Sequence, residues 1–147
     1  MKKSVLLGVI LVLLMFSSTL VYFLSPFFQP SLPEDNIVEY ELSLNQKNMV
    51  LRQGRVLMEF FYGNCENCTE KISFLESIAD QYKDKTFLEK IFVNETTPKL
   101  HLIGFNVTSN GIYLQERLLQ GEEIVYENVM NNLCDIMIYP PVECARV

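Results

Sequence analysis

Val56-Leu-Met-Glu-Phe-Phe-Tyr-Gly-Asn-Cys-Glu-Asn-Cys68 is the stretch on which the reading of this chain turns. Its first seven residues form a short apolar run, rich in aromatic side chains and interrupted by one acid, Glu59. A run of that length and composition predicts a strand buried on both faces, as at the centre of a sheet. Downstream, Ile72, Leu75, Ile78, Ala79 and Tyr82 recur at helical spacing, which predicts an amphipathic helix from about residue 65 to 83. The pair Cys65 and Cys68 therefore sits at a strand-to-helix junction. There the first cysteine faces unpaired backbone N–H groups and the positive end of the helix dipole, and both favour a thiolate. The thiolate is the attacking species in disulfide exchange, and a second cysteine one turn along can resolve the mixed disulfide. Out of such a context a CxxC pair is equally half of a zinc site or a local structural bridge.

With its aromatic-rich strand running into a CxxC, the segment from Val56 to Cys68 resembles the thioredoxin superfamily. The likeness extends more weakly from about Asn36 to Ile138 through the order of elements. The resemblance implies that Cys65 is the exposed nucleophile and Cys68 the buried resolving thiol. It also implies that Glu59, six residues before Cys65, is a buried acid assisting proton transfer from the second cysteine. The family's cis-proline, which aligns substrate against the CxxC, would fall within Val107 to Ile112, with Asn110 and Gly111 forming the substrate-aligning loop. The chain departs from the family in carrying Asn64 where a tryptophan is usual, Glu66-Asn67 between the cysteines, and glycine at position 111. The Glu66 carboxylate opposes a neighbouring thiolate.

Outward from this segment the pattern continues to alternate. Val38, Tyr40, Leu42 and Leu44 recur every second residue and predict a half-buried strand, followed by a short helix over 45–53. Residues 87–93 read as a strand and residues 100–105 as a short helix after Pro98. Residues 111–115 and 123–126 read as a closing hairpin around Gly121. A last helix over 127–138 would bury Val129, Met130, Leu133, Ile136 and Met137 before Pro140-Pro141 stops it. The expected fold class is α/β, a thioredoxin-like mixed sheet flanked by helices.

Residues 5–24 carry no charge in twenty positions. Such a run covers about 30 Å as a helix, enough for the hydrocarbon core of a bilayer. Lys2 and Lys3 precede it and no basic residue follows before Lys47, which orients the amino terminus to the cytoplasm and the rest outside. The run is long for a signal peptide and lacks a small-x-small cleavage site near its end. The expected domains are a membrane anchor over 1–24, a proline-rich linker over 25–35, and a thioredoxin-like domain with a cysteine-bearing tail over 36–147. Pro26, Pro30 and Pro33 make the linker extended and stiff. Without Lys2 and Lys3, the exported part sets 10 basic against 18 acidic residues, a net charge of −8. No basic cluster interrupts that charge, which argues against a nucleic-acid partner. The expected partners are protein thiols or disulfides, or a membrane redox partner, with the chain held at the cell membrane and the domain extracytoplasmic.

All four cysteines lie in the exported part, where disulfides form and persist. Cys134 and Cys144 flank a segment that the proline pair can turn back along the last helix, so they are expected to form a structural disulfide worth about 2–3 kcal/mol. A relay that exchanges electrons with Cys65 and Cys68 or with a membrane partner is the functional alternative. His101 is the sole histidine and has no partner histidines, so no metal or cofactor is expected. Three functions remain in competition. They are a thiol–disulfide oxidoreductase, a non-catalytic thioredoxin-like binding module held by two inert disulfides, and a zinc-binding exported domain.

Overall fold

The computed structural model describes residues 14–15 and 31–146. The chain divides into two compact units, residues 1–31 and 32–147. Leu14 and Met15 are helical and exposed. The rest of the expected anchor, and the linker up to residue 30, lie outside the described residues. Among the described residues no helix is long and apolar enough to cross a membrane.

The second unit is a mixed α/β domain. In chain order it contains β1 (Ile37–Val38), α1 (Leu44–Arg52), β2 (Val56–Tyr62), α2 (Cys68–Gln81), β3 (Thr86–Phe92), β4 (Lys99–Thr108), β5 (Gly111–Gln120), a 3-10 turn (Gly121–Glu123), α3 (Tyr126–Ile136) and a second 3-10 turn (Val142–Arg146). The five strands form one sheet in the order β1-β3-β2-β4-β5. β1, β3 and β2 run parallel, while β4 is antiparallel to β2 and β5 to β4. This arrangement is compatible with a thioredoxin-like fold.

Alternation along β2 sorts its side chains between two cores. Val56, Met58 and Phe60 point to the face covered by α2 and α3, where they meet Leu75, Ile78, Leu88, Leu100, Leu102, Val129, Leu133 and Ile136. Leu57 points to the opposite face, where it packs with Val38, Leu42, Val50 and Phe87 under α1. With helices on both sides, β2 must be apolar on both, which its composition satisfies. The part of the α1 face formed by β4 and β5 stays open, and Val107, Ile112, Leu114 and Leu118 are exposed there.

Three expectations about elements are corrected. The strand expected over 38–44 shrinks to two residues, because the Leu42 N–H donates to the Glu89 carboxylate (3.3 Å) instead of to a neighbouring strand. Ser43 then caps α1 reciprocally with Gln46. The helix expected over 100–105 is the core of β4: Leu100, Leu102 and Gly104 are buried while His101, Ile103 and Phe105 are not, a period of two that pairs with β2 and β5. The closing hairpin turns at Ser109-Asn110 rather than at Gly121, with Gly111 at φ 137°, a conformation side chains resist. Residues 123–126 are accordingly not a strand but the entry to α3.

Candidate functional site: the Cys65–Cys68 junction

β2 ends at Tyr62, and Gly63-Asn64 carries the chain to Cys65. Position 63 must be glycine on steric grounds: a Cβ there would run into the backbone carbonyls of Val93 and Glu95. The Val93 N–H also donates to the Tyr62 carbonyl (2.7 Å). The loops after β2 and β3 are thus pressed together, which fixes where Cys65 emerges. Tyr62 stacks on Phe60 and meets Phe92 edge-on, with ring centroids 5.6 and 5.7 Å apart, and this closes the sheet beneath the loop.

Cys65 and Cys68 are joined as a disulfide with a Cα–Cα separation of 5.3 Å. Cys65 is half-buried and Cys68 is buried at the first position of α2. A tight turn, Cys68 N–H to Cys65 carbonyl at 3.4 Å, connects them. Asn67 occupies the cap position of α2, yet its side chain makes no capping hydrogen bond. The first-turn N–H groups of α2 therefore lack side-chain satisfaction on the side where the cysteines lie. A thiolate formed there meets both these donors and the helix dipole.

Beside Cys65 a cavity of about 330 Å³ opens, lined among others by Glu66, Lys71, Thr96, Thr97, Pro98 and Glu122. The wall opposite the cysteine is thus the segment just before β4. Sequence reading placed the aligning loop at Asn110 and Gly111 instead. In the structure those residues form the far end of the β4–β5 hairpin. Because β4 runs antiparallel to β2, Phe61 pairs with Lys99 and Leu57 with Ile103. The Lys99 end of β4 therefore approaches Cys65, while Asn110 and Gly111 lie at the opposite end of a ten-residue strand, about 30 Å away. A helix over 100–105 puts the return strand beyond residue 105, whereas β4 begins at Lys99, directly after Pro98. Among the described residues every peptide bond is trans.

Glu59 is buried on the α1 side of β2 and sits in an ion network. Lys47 of α1 donates to Glu59 Oε1 (2.6 Å) and to Glu41 (3.0 Å), and lies 3.6 Å from Glu89. His101 Nδ1 lies 2.9 Å from Glu59 Oε2, and its Nε2 lies 3.2 Å from the exposed Glu116. A continuous polar path thus runs from a buried carboxylate to the surface, through a histidine whose sequence context gave no reason to single it out. Burial works against the Lys47 charge, but the carboxylates of Glu59, Glu41 and Glu89 outweigh it and raise its pKa above the usual lysine range. Glu89, fully buried and paired in register with Glu59, has its pKa pushed up to about 7, chiefly by burial, with Lys47 partly offsetting this. Its Oε1 has no hydrogen-bond partner.

Cys134 and Cys144 form the second disulfide, with a Cα–Cα separation of 5.5 Å. It ties the last turn of α3 to the tail. A Cβ at Gly104 would meet the Ile136 carbonyl and the Val56 side chain, so the end of α3 lies where β2 begins. The first disulfide lies where β2 ends. Seven residues of strand, about 20 Å, separate those two ends. The four cysteines are therefore not gathered into one site, and among the described residues no group of three or more metal-ligating side chains is found.

Comparison of the chain with protein-family models, with curated proteins and with solved structures finds no match.

Proposed function

We propose that this chain is a thiol–disulfide oxidoreductase of thioredoxin type, held at the membrane by residues 5–24 with its domain outside the cytoplasm. The observation that carries the reading is the asymmetry of the pair, with Cys65 half-buried beside a cavity and Cys68 buried at an uncapped helix start. Cys65 is the group that exchanges with protein disulfides or thiols, and Cys68 resolves the mixed disulfide. Pro98 and Thr97, across the cavity, are the residues in position to align a substrate chain. Partners are protein thiols or disulfides outside the cytoplasm, or a membrane redox protein.

The test is turnover of a model protein disulfide by the full chain in mild detergent, with Cys65→Ser as control. Turnover in the wild type that drops by at least about 10²-fold in the variant is expected, since the variant lacks the attacking thiolate. Equal rates in the two would overturn the reading.

A second reading is favoured by one observation: the cavity beside Cys65 carries two carboxylates, Glu66 and Glu122, which disfavour a thiolate. On that reading the domain is a non-catalytic binding module with inert disulfides. A Cys65–Cys68 potential below about −300 mV would favour it.

A further inference from the structure

Lys71 lies three residues after Cys68 in α2, on the same side of the helix, and is buried with 7% of its surface exposed. Its backbone N–H donates to the Asn67 carbonyl (3.1 Å), so the position belongs to the regular first turns of α2. Its ammonium donates to one neutral acceptor, the Ile124 carbonyl, at 3.3 Å. Among the described ion pairs none involves it, whereas the other buried lysine, Lys90, is held by Glu76 at 2.6 Å and Glu39 at 3.0 Å. Burying an ammonium without a counter-charge is costly, and a lysine stem usually carries its head group out to water. Helical side chains lean toward the amino terminus of their helix, the end of α2 at which Cys65 and Cys68 lie. The lysine thereby lines the same cavity as Cys65.

We propose that Lys71 is the counter-charge of the reduced pair, a positioning residue that stabilises the Cys65 thiolate and so sets the redox potential of Cys65–Cys68. The inference rests on the exchange chemistry proposed above and names the residue that tunes it. The neutral Cys65–Cys68 disulfide leaves Lys71 without an ionic partner, and reduction supplies one.

The step balances as follows. A thiolate of an exported protein dithiol attacks Cys65 Sγ, and the Cys65–Cys68 bond breaks. Its electron pair leaves on Cys68 Sγ, which takes up a proton. The substrate's second thiolate attacks the substrate sulfur of the mixed disulfide, and that bond's electron pair leaves on Cys65 Sγ. The substrate has lost two electrons and two protons. Cys65–Cys68 has gained both electrons and one proton, and the other proton has passed to solvent. Cys65 remains as a thiolate facing Lys71.

Glu66 on the loop and Glu122 on the 3-10 turn face the same cavity and oppose that thiolate. Lys71 is the one cation among the cavity's described lining residues. Removing it therefore leaves an acidic cavity, and the effect has a definite sign: the disulfide becomes harder to reduce.

The experiment is equilibration of the full chain in detergent against glutathione buffers, for wild type, Lys71→Met and Lys71→Arg. The wild type and the Arg variant are expected to agree. The Met variant is expected to shift about tenfold toward disulfide, equivalent to a potential lower by about 30 mV. Its thiolate absorbance is expected to appear at higher pH. In parallel, the side-chain resonances of isotope-labelled Lys71 in the wild type should move as Cys65 ionises, a readout that does not depend on any variant folding. A wild type that exchanges, with a folded Met variant of unchanged potential or a Lys71 resonance indifferent to Cys65, overturns the role of Lys71 alone. A wild-type pair that does not equilibrate with glutathione overturns the exchange chemistry as well.

Discussion

The two disulfides of this domain have nearly the same span, with Cα–Cα separations of 5.3 and 5.5 Å, and entirely different surroundings. Cys134–Cys144 joins the end of α3 to a tail where Tyr139, Val142 and Glu143 are exposed. Cys65–Cys68 stands at the end of the central strand, on an uncapped helix start, beside a cavity. Loop length does little to separate them. The sequence separations are 3 and 10, and loop entropy makes the longer one worth only about 1 kcal/mol more. On the proposed function, what distinguishes an exchanging pair from a staple is the uncapped helix start and the cavity around the sulfurs, and both are found at Cys65–Cys68.

The sharpest way to break this comparison is to exchange the roles. Cys134→Ser/Cys144→Ser should leave turnover within about twofold of wild type, where Cys65→Ser should lower it by at least about 10²-fold, because about 20 Å of strand separates the pairs. Loss of turnover in the tail variant would instead establish a relay. Next in size is the effect of the same tail variant on stability. Denaturant unfolding should show a loss of about 2–3 kcal/mol, the contribution of closing a loop of this length. A loss near zero would mean that the tail is held by other contacts, such as the Lys85 ammonium donating to the Tyr139 carbonyl at 2.8 Å.

Gly63→Ala sharpens the comparison from the other side. The added methyl runs into the Val93 and Glu95 carbonyls, so the loop bearing Cys65 must shift. We expect a destabilisation of about 1–3 kcal/mol and a change in the exchange rate of Cys65 with a small thiol reagent. Reduction of Cys134–Cys144 should be unaffected. Gly63→Ala with an unaltered Cys65 rate would show that the close approach of the two loops does not position the cysteine.

How much of this was legible in the chain depended on whether local pattern or tertiary contact decided the outcome. The strand before the cysteines begins at Val56 and ends at Tyr62 as its composition predicts, because burial on both faces leaves a continuous apolar run. The helix after it was equally readable from Leu75, Ile78 and Ala79. In Leu100-His-Leu-Ile-Gly-Phe105, by contrast, apolar residues fit helical and strand spacing alike. Pairing with Leu57 to Phe61 on one side and with β5 on the other chose the strand. That one ambiguity displaced the hairpin and sent the expected aligning loop to Asn110 and Gly111. At the site, both cysteines were legible from strand, spacing and helix. Lys71 was not: a lysine on a helix reads as solvated, and its burial is set by the 3-10 turn before α3, fifty residues on, which supplies the Ile124 carbonyl. The contact of His101 with Glu59 likewise joins residues 42 apart.

The smallest effect we expect concerns the strands that lead to Cys65–Cys68, and it appears as a dependence of stability on pH. On β3, beside β2, Glu89 is fully buried, with one N–H donor from Leu42 and Lys47 at 3.6 Å. Its pKa in the folded domain, about 7, lies above the ordinary 4.5. Between those two values the folded state holds a proton that the unfolded state has released, so stability falls as pH rises through that window and levels off above it. Lys47, with its pKa raised, works in the opposite range: its contribution is intact below the ordinary lysine value of 10.5 and is lost only at higher pH. Glu41, Glu59 and His101 belong to the same network and are common to both proteins, so the informative quantity is a difference between wild type and variant. Glu89→Gln keeps the shape and an acceptor for Leu42 while removing the ionisation. Unfolding measured at pH 5 and pH 8 should show the variant gaining on wild type as pH rises. A difference that is flat across the window would mean that Glu89 is already ionised at pH 5 with Lys47 as its full counter-charge. The network on the α1 side of β2 and β3 would then be an ionised one across the whole window.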